Sequence, residues 1–352
     1  MTYIFKKNHF KILYFMLHII LIFLIIFVST LGVAKIPLNE SSKIILSNIP
    51  FIKNKVSLEG ISPSHIVIIN KIRFPRIILS ALIGIALAGC GVVFQGIFKN
   101  PMAEPYVLGI SSGAAFGATL AIVFGFEAAA FGIGAISIMA FGGAIITTFI
   151  VYNISRIGNK TPIMTLLLAG IAMSFFLSSM ISLLMTFNRQ KVEKIVFWTM
   201  GSLSSASWKH VIISAPIILL GSLLFTLFSR DLNVMLLGED SAKGLGVEVE
   251  KLKKGLLLIA SIVAASAVSV SGIIGFVGLV IPHIVRLIVG PDHRVLIPFT
   301  LISGAIFMII ADTLARIIMP PTEIPVGVIT ALFGAPFFIY LLHKNKKNSY
   351  MG

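Results

Sequence analysis

Residues 74–98 read FPRIILSALIGIALAGCGVVFQGIF, and this stretch decides the fold class. Arg76 is its one charged side chain, and Lys99 follows directly after it. A membrane-spanning helix needs about 20 apolar residues to cross roughly 30 Å of hydrocarbon. Because backbone in lipid must satisfy its own hydrogen bonds, the stretch predicts a transmembrane helix.

Nine further apolar stretches flank this one along the chain. Together they predict an all-α integral membrane protein with about ten transmembrane helices, forming a single domain over residues 1–352. The glycine-interrupted stretch with Pro282 predicts a short, irregular span that lies in the protein interior. The nine are Ile12–Gly32, Pro105–Phe126, Ala130–Ile154, Pro162–Phe187, Val211–Phe228, Gly255–Val270, Gly272–Val289, Val295–Ile318 and Val326–Leu342.

Composition excludes a water-soluble domain and disfavours a nucleic-acid partner. Hydrophobic residues make up 57% of the chain and charged residues 12%, whereas soluble domains carry about a quarter charged residues. The mean hydropathy is +1.03. Lys and Arg number 28 against 13 Asp and Glu, and the basic residues cluster at the ends of apolar stretches. That placement indicates contact with anionic membrane lipid, and no nucleic acid is expected.

Several chemistries are also excluded by the residues present. The single cysteine, Cys90, allows neither an intrachain disulfide nor a thiolate metal cluster. No histidine pair has metal-ligand spacing, and the dipeptide Gly-Lys of a phosphate-binding loop never occurs. We therefore expect no catalytic residue, no cofactor and no metal site, and any ATP must be hydrolysed by another chain.

Charge placement predicts the orientation in the membrane. Lysines precede an apolar stretch from Ile12 to about Val33, which is too long for the core of a cleaved signal peptide. The sequence therefore predicts a cytoplasmic segment over residues 1–11 and a first transmembrane helix. With both termini inside, residues 33–71 form an external loop and residues 230–254 a cytoplasmic segment. The bias of basic residues toward the cytoplasmic loops is mild.

A series of motifs in a fixed order makes a family resemblance specific. The motifs are Arg73-Phe-Pro-Arg76, Asn100-Pro-Met-Ala-Glu-Pro-Tyr-Val-Leu-Gly-Ile-Ser-Ser-Gly-Ala114, Leu167-Leu-Ala-Gly170, Phe197-Trp-x-Met-Gly201, Leu237-Gly-Glu-x-x-Ala242-x-x-Leu-Gly246, Gly275-Phe-Val-Gly-Leu-Val-Ile-Pro-His-Ile-Val-Arg286 and Gly334-Ala-Pro-Phe337. With these motifs in this order, the chain resembles the FecCD family of ABC-importer permeases over about residues 70–342.

The resemblance implies a type II ABC importer permease fold in a prokaryotic cell (inner) membrane. It implies three partners: two cytoplasmic ATP-binding subunits, an external substrate-binding protein and a second permease subunit, for which a homodimer is favoured. The implied cargo is an iron chelate, with ferric siderophore favoured and haem or cobalamin as alternatives. An ion-coupled secondary transporter is a more distant alternative, and a membrane enzyme is disfavoured.

Three arginines are predicted to lie at the external surface. Arg73 and Arg76 begin the second span, and Arg316 ends the ninth. Guanidinium groups suit bidentate capture of carboxylates, and the resemblance implies that all three dock acidic residues of the binding protein. Anchoring to lipid headgroups is the alternative. Asp312 lies one turn before Arg316, and we expect an ion pair between them because an acid inside a span needs a partner.

The resemblance also assigns a cytoplasmic coupling element and a gate. Residues Leu232–Gly246 suit two short helices joined at a glycine, and the implied ATPase-coupling residues are Gly238, Ala242, Leu245 and Gly246. An ordinary amphipathic loop is the alternative. The implied cytoplasmic gate comprises Asn100 and Met102, together with the turn Asn159–Thr165 as a region.

Other polar residues have less specific interpretations. His283 and Arg286 share a helix face, for which structural capping or ATPase contact is favoured over a proton relay. Glu104 is expected to cap the third span. The serines of the fifth span suit helix packing better than a conduit lining. These serines are Ser174, Ser178, Ser179 and Ser182.

Overall fold

The computed structural model describes residues 3–48, 55–126, 129–130, 133–158 and 160–349. These residues are mostly helical, with one hairpin of two-residue strands, β1 (Ala129–Ala130) and β2 (Ile133–Gly134). The α-helices in chain order are α1 Tyr3–Thr30, α2 Leu38–Ser47, α3 Pro63–Val67, α4 Phe74–Phe98, α5 Ile110–Phe124, α6 Ala135–Ser155, α7 Ile163–Phe187, α8 Val192–Thr199, α9 Trp208–Leu227, α10 Ser229–Leu236, α11 Glu239–Gly244, α12 Val249–Ser271, α13 Val277–Val289, α14 His293–Ile317 and α15 Val326–Ser349.

The predicted all-α membrane fold is confirmed. Among the described residues, seven helices are long and apolar enough to cross a membrane, and three shorter apolar helices accompany them. The seven comprise α1, the continuous helix from Pro63 to Phe98, α6, α7, α9, α12 and α14, and the three are α5, α13 and the apolar part of α15. Together they occupy the positions of the ten predicted spans.

Two predicted spans are shorter than expected because glycines interrupt them. The third begins with a 3-10 turn, Pro105–Leu108, and Gly109 at φ 75° separates this turn from α5. The eighth becomes regular only at Val277, after Gly272 at φ 68°. Both glycines adopt the left-handed backbone that a side chain disfavours, so the helix cannot continue smoothly through them.

Helix α4 is the centre of the bundle. Within an apolar stretch of 18 residues in the helix from Pro63 to Phe98, 89% of the residues are buried. In a stretch of the same length in α7, 17% of the residues are buried. Helix α14 crosses it where Gly84 meets Gly304, and a Cβ on either glycine would overlap the backbone of the other helix. Gly91 faces the backbone of Gly278 on α13 in the same way. Small residues therefore let α13 and α14 pack directly on α4, as small-residue motifs do in membranes.

The irregular backbone before α13 lies in the interior, as predicted. Ile274 is buried, and its carbonyl accepts a hydrogen bond of 2.8 Å from Tyr106 Oη. Glu104 Oε1 accepts a hydrogen bond of 2.9 Å from the backbone N–H of Phe276. Glu104 occupies the N-cap position of the turn Pro105–Leu108, as predicted, but its side chain makes no capping hydrogen bond there. Its carboxylate closes the start of α13 instead, since the irregular backbone there has free donors.

The segments predicted to lie outside the membrane have defined structure in part. The predicted external loop 33–71 contains α2 and α3, and its residues 49–54 lie outside the described residues. The predicted cytoplasmic segment 230–254 contains most of α10, all of α11 and the first turn of α12. Residues 1–2 of the predicted cytoplasmic N-terminus also lie outside the described residues.

Candidate functional site

The three arginines predicted to dock a binding protein lie around one small cavity. Arg73, Arg76 and Arg316 line it together with Glu323, and its volume is about 230 Å³. The three arginines expose only 5%, 7% and 8% of their surface, respectively. The structure therefore brings the predicted residues together, recessed beside a cavity rather than extended from the surface.

Arg76 is held by two carboxylates. Its Nε donates to both oxygens of Asp312 at 3.0 Å, and its Nη2 donates to Asp312 Oδ1 at 2.8 Å. Its Nη1 donates to both oxygens of Glu323 at 2.9 Å. Such bidentate charge-assisted contacts are the strongest that an arginine makes. The carboxylates account for most of the donor capacity of Arg76.

The crossing of α4 and α14 explains this pairing. Arg76 lies eight residues before Gly84, and Asp312 lies eight residues after Gly304. Because the helices run in opposite directions through the Gly84–Gly304 contact, two turns along each helix reach the same level. The predicted ion pair between Asp312 and Arg316 is confirmed, and Arg76 is a second partner that sequence analysis did not assign. Arg316 Nε is 3.4 Å from Asp312 Oδ2, while Arg76 makes the closer and better-aligned contacts.

Arg73 and Arg316 have different hydrogen-bonding states. Arg73 donates to the backbone carbonyls of Ser29, at 2.7 Å, and Ala34, which ties the start of α4 to the end of α1. Arg316 Nη2 makes one long hydrogen bond of 3.4 Å to Thr313 Oγ1. Among the described residues, Arg316 Nε has no hydrogen-bond partner. Arg316 therefore has the largest unused donor capacity at the cavity.

The predicted coupling element consists of two short helices joined at a glycine. Helices α10 and α11 meet at Gly238, which has φ 118°, and Gly246 has φ 86°. Both values lie where a side chain is strained, so glycine is required for these two turns. Leu237 and Leu245 are 68% and 65% exposed, which leaves an apolar surface on this element.

The coupling element is fixed to the start of α12. Ala242 is fully buried and packs in a small cluster with Met235 and Val249. Lys253 Nζ forms an ion pair of 2.5 Å with Glu239 at the start of α11. The buried face of the element is therefore attached to the first two turns of α12.

The residues predicted to form a gate lie in the tight turn after α4. Lys99 adopts φ 50° and ends the helix, and Asn100 Oδ1 accepts a hydrogen bond of 2.9 Å from the backbone N–H of Met102. Asn100 is exposed and Met102 is half-buried. In the second predicted gate region, Asn159–Thr165, residue Asn159 lies outside the described residues, and α7 begins at Ile163.

A polar cluster joins the coupling element to the start of α14. Asn233 Oδ1 accepts from the backbone N–H of His293 at 2.8 Å and from its ring Nδ1 at 2.9 Å. Asn233 Nδ2 donates to Asp292 at 2.7 Å. Hydrogen bonds from Arg294, followed by that from Asn233, lower the pKa of Asp292 to about 2. Asp292 is therefore ionised at physiological pH and caps α14 through the Arg294 N–H.

His283 and Arg286 do not form a carboxylate relay among the described residues. Arg286 Nη1 donates to Gln95 Oε1 at 2.8 Å, which links α13 to α4. The described residues contain no group of three or more His, Cys, Asp or Glu side chains that could hold a metal ion.

Helix α7 presents hydroxyl groups on its exposed surface. Ser174 is half-buried, and its Oγ lies 3.7 Å from the position of a Cβ on Gly109, as predicted for helix packing. Ser178, Ser179 and Ser182 are exposed, so the packing prediction does not hold for these three within the described residues. The hydroxyls of Ser179 and Ser182 donate to backbone carbonyls four residues earlier, at 2.9 and 3.0 Å. Sequence analysis favoured packing because serine lets helices approach closely, but here the small residue facing the neighbouring backbone is Gly170, against Val107.

Comparison with known proteins gives consistent matches over nearly the whole chain. The profile of the FecCD transport family matches residues 19–344. The cobalamin import system permease protein BtuC of Halobacterium salinarum is 46% identical, over 80% of this chain and 75% of the relative. The hemin transport system permease protein HmuU of Yersinia pestis is 40% identical, over 78% of this chain and 83% of the relative. A solved transporter of proposed metal-chelate type, in an inward-facing conformation, aligns with a TM-score of 0.80 at 33% identity, over 95% of this chain and 99% of that one.

Proposed function

Because the chain belongs to the FecCD transport family, whose members are permease subunits of ABC importers, we propose that it carries an iron chelate into the cytoplasm. The membership sets aside the ion-coupled transporter and the membrane enzyme that sequence analysis weighed. The ATPase activity of such importers lies in separate chains. The permease is a multi-pass protein of the prokaryotic cell membrane.

The observation that carries the cargo proposal is the alignment with the metal-chelate type transporter over 95% of this chain. An intact chelate keeps its metal fully ligated, so weakly polar walls suffice and no protein ligand set is required. The exposed hydroxyls of α7 supply such a wall, because most other exposed residues of the membrane helices are apolar. We place the pathway along this face of α7, between two copies of the chain.

Cobalamin is a second candidate cargo, since a relative with 46% identity is named as a cobalamin import permease. Haem is a third candidate, since a relative with 40% identity is named as a hemin transport permease.

Uptake of radiolabelled ferric siderophore, haem and cobalamin is measured in cells that lack the gene, with and without its return. Loss and rescue of siderophore uptake supports the iron-chelate proposal. Rescue of cobalamin or haem uptake alone overturns this cargo and leaves the importer class intact.

We propose that the external binding protein docks over the arginine cavity. Arg316 makes one hydrogen bond of 3.4 Å to Thr313 and an ion pair of 3.4 Å with Asp312, the longest contacts among the three arginines, so an acidic residue of the binding protein is expected to engage Arg316 first. Glu323 is the more exposed of the two carboxylates at Arg76, with a side chain 36% exposed. For docking at Arg76, Glu323 would release Nη1 of the guanidinium to a carboxylate of the binding protein. Asp312 would keep its hydrogen bonds with Nε and Nη2.

We propose that α10 and α11 form the contact with the ATP-binding subunit. The exposed Leu237 and Leu245 would enter an apolar groove on that subunit, and the buried Ala242 would carry the movement to α12. The turn with Asn100 and Met102 would close the cytoplasmic end of the pathway. Met is flexible enough to retract from a closed constriction, and Asn gives it a polar edge.

A further inference from the structure

A cleft runs along the C-terminal half of α6 and the N-terminal half of α12. Its lining residues are different from the docking, coupling and gate residues named above. Its volume is about 330 Å³, and its floor includes the fully buried Leu108 and Leu166. The wall formed by α6 carries a stripe at helical spacing that ends in a cation just beyond the helix. The stripe consists of Ile145, Thr148, Phe149, Tyr152, Asn153 and Arg156.

The wall formed by α12 likewise has a cation at one end and mainly apolar residues along the rest of its length. Lys254 lies near the start of α12, and Leu257, Leu258 and Ser261 follow it into the cleft. Because Arg156 follows the end of α6 and Lys254 lies in the second turn of α12, the two cations lie at the same end of the cleft. The rest of the lining is mainly apolar, so the cleft is amphipathic along its length.

The length of the cleft matches one leaflet of a bilayer. Ile145 and Arg156 are separated by eleven residues, which span about 16 Å at 1.5 Å per residue. The hydrocarbon core of a bilayer is about 30 Å thick, so one leaflet is about 15 Å. An acyl chain lying against the apolar stripe would therefore bring its headgroup to the level of the two cations.

The charge at this end of the cleft is positive. Arg156 Nε donates to the Gly158 carbonyl at 2.7 Å, and the Arg156 side chain lines this end of the cleft. Lys254 is exposed and has no ion pair among the described residues. Glu250 lies one turn before Lys254, but its carboxylate is engaged by Lys253 at 3.4 Å and by the Thr161 N–H at 3.2 Å.

We propose that this cleft is a binding site for one anionic phospholipid, with an acyl chain between α6 and α12 and the phosphate at Arg156 and Lys254. The assignment to the cytoplasmic leaflet rests on the orientation predicted from the loops. The site itself does not depend on the identity of the cargo. The bound lipid would brace α12 beside Lys253, which holds the coupling element.

The test measures lipid binding to the intact permease–ATPase complex by native mass spectrometry. Phosphatidylglycerol and phosphatidylcholine with identical acyl chains are titrated separately. We expect tighter binding of phosphatidylglycerol, weakened about fivefold by Lys254→Gln, because each cation near a membrane surface contributes about 1 kcal/mol. The double variant Lys254→Gln/Arg156→Gln should bind both lipids alike. Lys251→Gln is the matched control, since Lys251 is 81% exposed and paired with Glu248.

A second variant tests the acyl part of the site. Ile145→Trp fills the cleft and should lower the binding of both lipids while leaving the complex assembled. Equal binding of phosphatidylglycerol by wild type and Lys254→Gln would overturn the headgroup assignment. Binding of soluble glycerol phosphate as tightly as the lipid would overturn the acyl assignment. Disulfide crosslinking between protomers through Phe149→Cys and Leu258→Cys would overturn the site, because a second copy would then cover the cleft.

Discussion

Asp312 is predicted to be the main electrostatic support of the outer end of the bundle. It is 1% exposed and accepts three hydrogen bonds from Arg76, and Arg316 lies 3.4 Å from its other oxygen. Asp312→Asn removes the charge and turns an amide donor toward guanidinium donors. Removing one partner of a buried ion pair costs about 3–5 kcal/mol, because the remaining charge is left without compensation. We expect a loss of that size in the free energy of unfolding.

Glu323→Gln is the matched comparison at the same guanidinium. The Glu323 side chain is 36% exposed, so water replaces much of the lost contact, and a cost of about 1 kcal/mol or less is expected. Unfolding of the purified permease is followed during titration of mixed micelles with dodecyl sulfate. The fluorescence of Trp198 and Trp208 reports the transition, since these are the two tryptophans of the chain.

A double-mutant cycle separates the ion pair from other effects of the substitution. Arg76→Gln combined with Asp312→Asn removes both charges, so the pair should cost less than the sum of the two single variants. The reasoning is refuted if Asp312→Asn costs no more than Glu323→Gln. Additive costs in the double variant would also contradict it, because they would mean that Arg76 and Asp312 do not interact.

Three further predictions concern the other elements. Gly246→Trp should leave the membrane helices folded, because no atom lies within 4 Å of an added Cβ, and should detach the ATPase, because a side chain at φ 86° strains this turn and displaces the adjacent coupling surface. Co-purification of the ATPase with the variant would contradict the coupling assignment. Arg316→Gln should weaken the affinity of the binding protein at least tenfold without preventing insertion, since the charge pair would be desolvated on docking; an unchanged dissociation constant by surface plasmon resonance would refute it. Asp292→Asn should destabilise the protein equally at pH 5 and pH 8. The pKa of Asp292 is lowered to about 2 in the folded protein, from about 3.8 in the unfolded chain. The stabilisation by its charge is therefore complete above pH 3.8 and is lost as the pH falls through about 2. A cost of Asp292→Asn that shrinks between pH 8 and pH 5 in the same unfolding titration would contradict this assignment.

The positions of the membrane helices could be predicted because a long apolar run has few alternatives in lipid. Residues 74–98, for example, lie in one helix that ends at Phe98 as expected, although this helix begins earlier, at Pro63, within the predicted external loop. The irregular start of α13 could also be anticipated from its glycines. The identity of the group that closes this start, Glu104, could not be predicted because the two segments are 172 residues apart in the chain.

The arginine site illustrates the same limit. Sequence analysis assigned Arg73, Arg76 and Arg316 to one docking surface. It also predicted a cationic partner for Asp312, because an acid within a membrane span needs a partner. The nearest cation in the chain was Arg316, one turn away, whereas Arg76 is 236 residues away. Only the contact of Gly84 with Gly304 sets the register that brings Arg76 to Asp312. Glu323 was missed because a single acid in a proline-rich turn has no distinguishing pattern.

The most direct test of the account is transport by the reconstituted complex. The permease, its ATP-binding subunits and its binding protein are assembled in proteoliposomes, and radiolabelled ferric chelate movement is measured with ATP on the cytoplasmic side of the complex. The account predicts movement that requires ATP, stops when the ATPase is inactivated and persists when ion gradients are dissipated. Movement that continues without ATP and collapses with an uncoupler would contradict it.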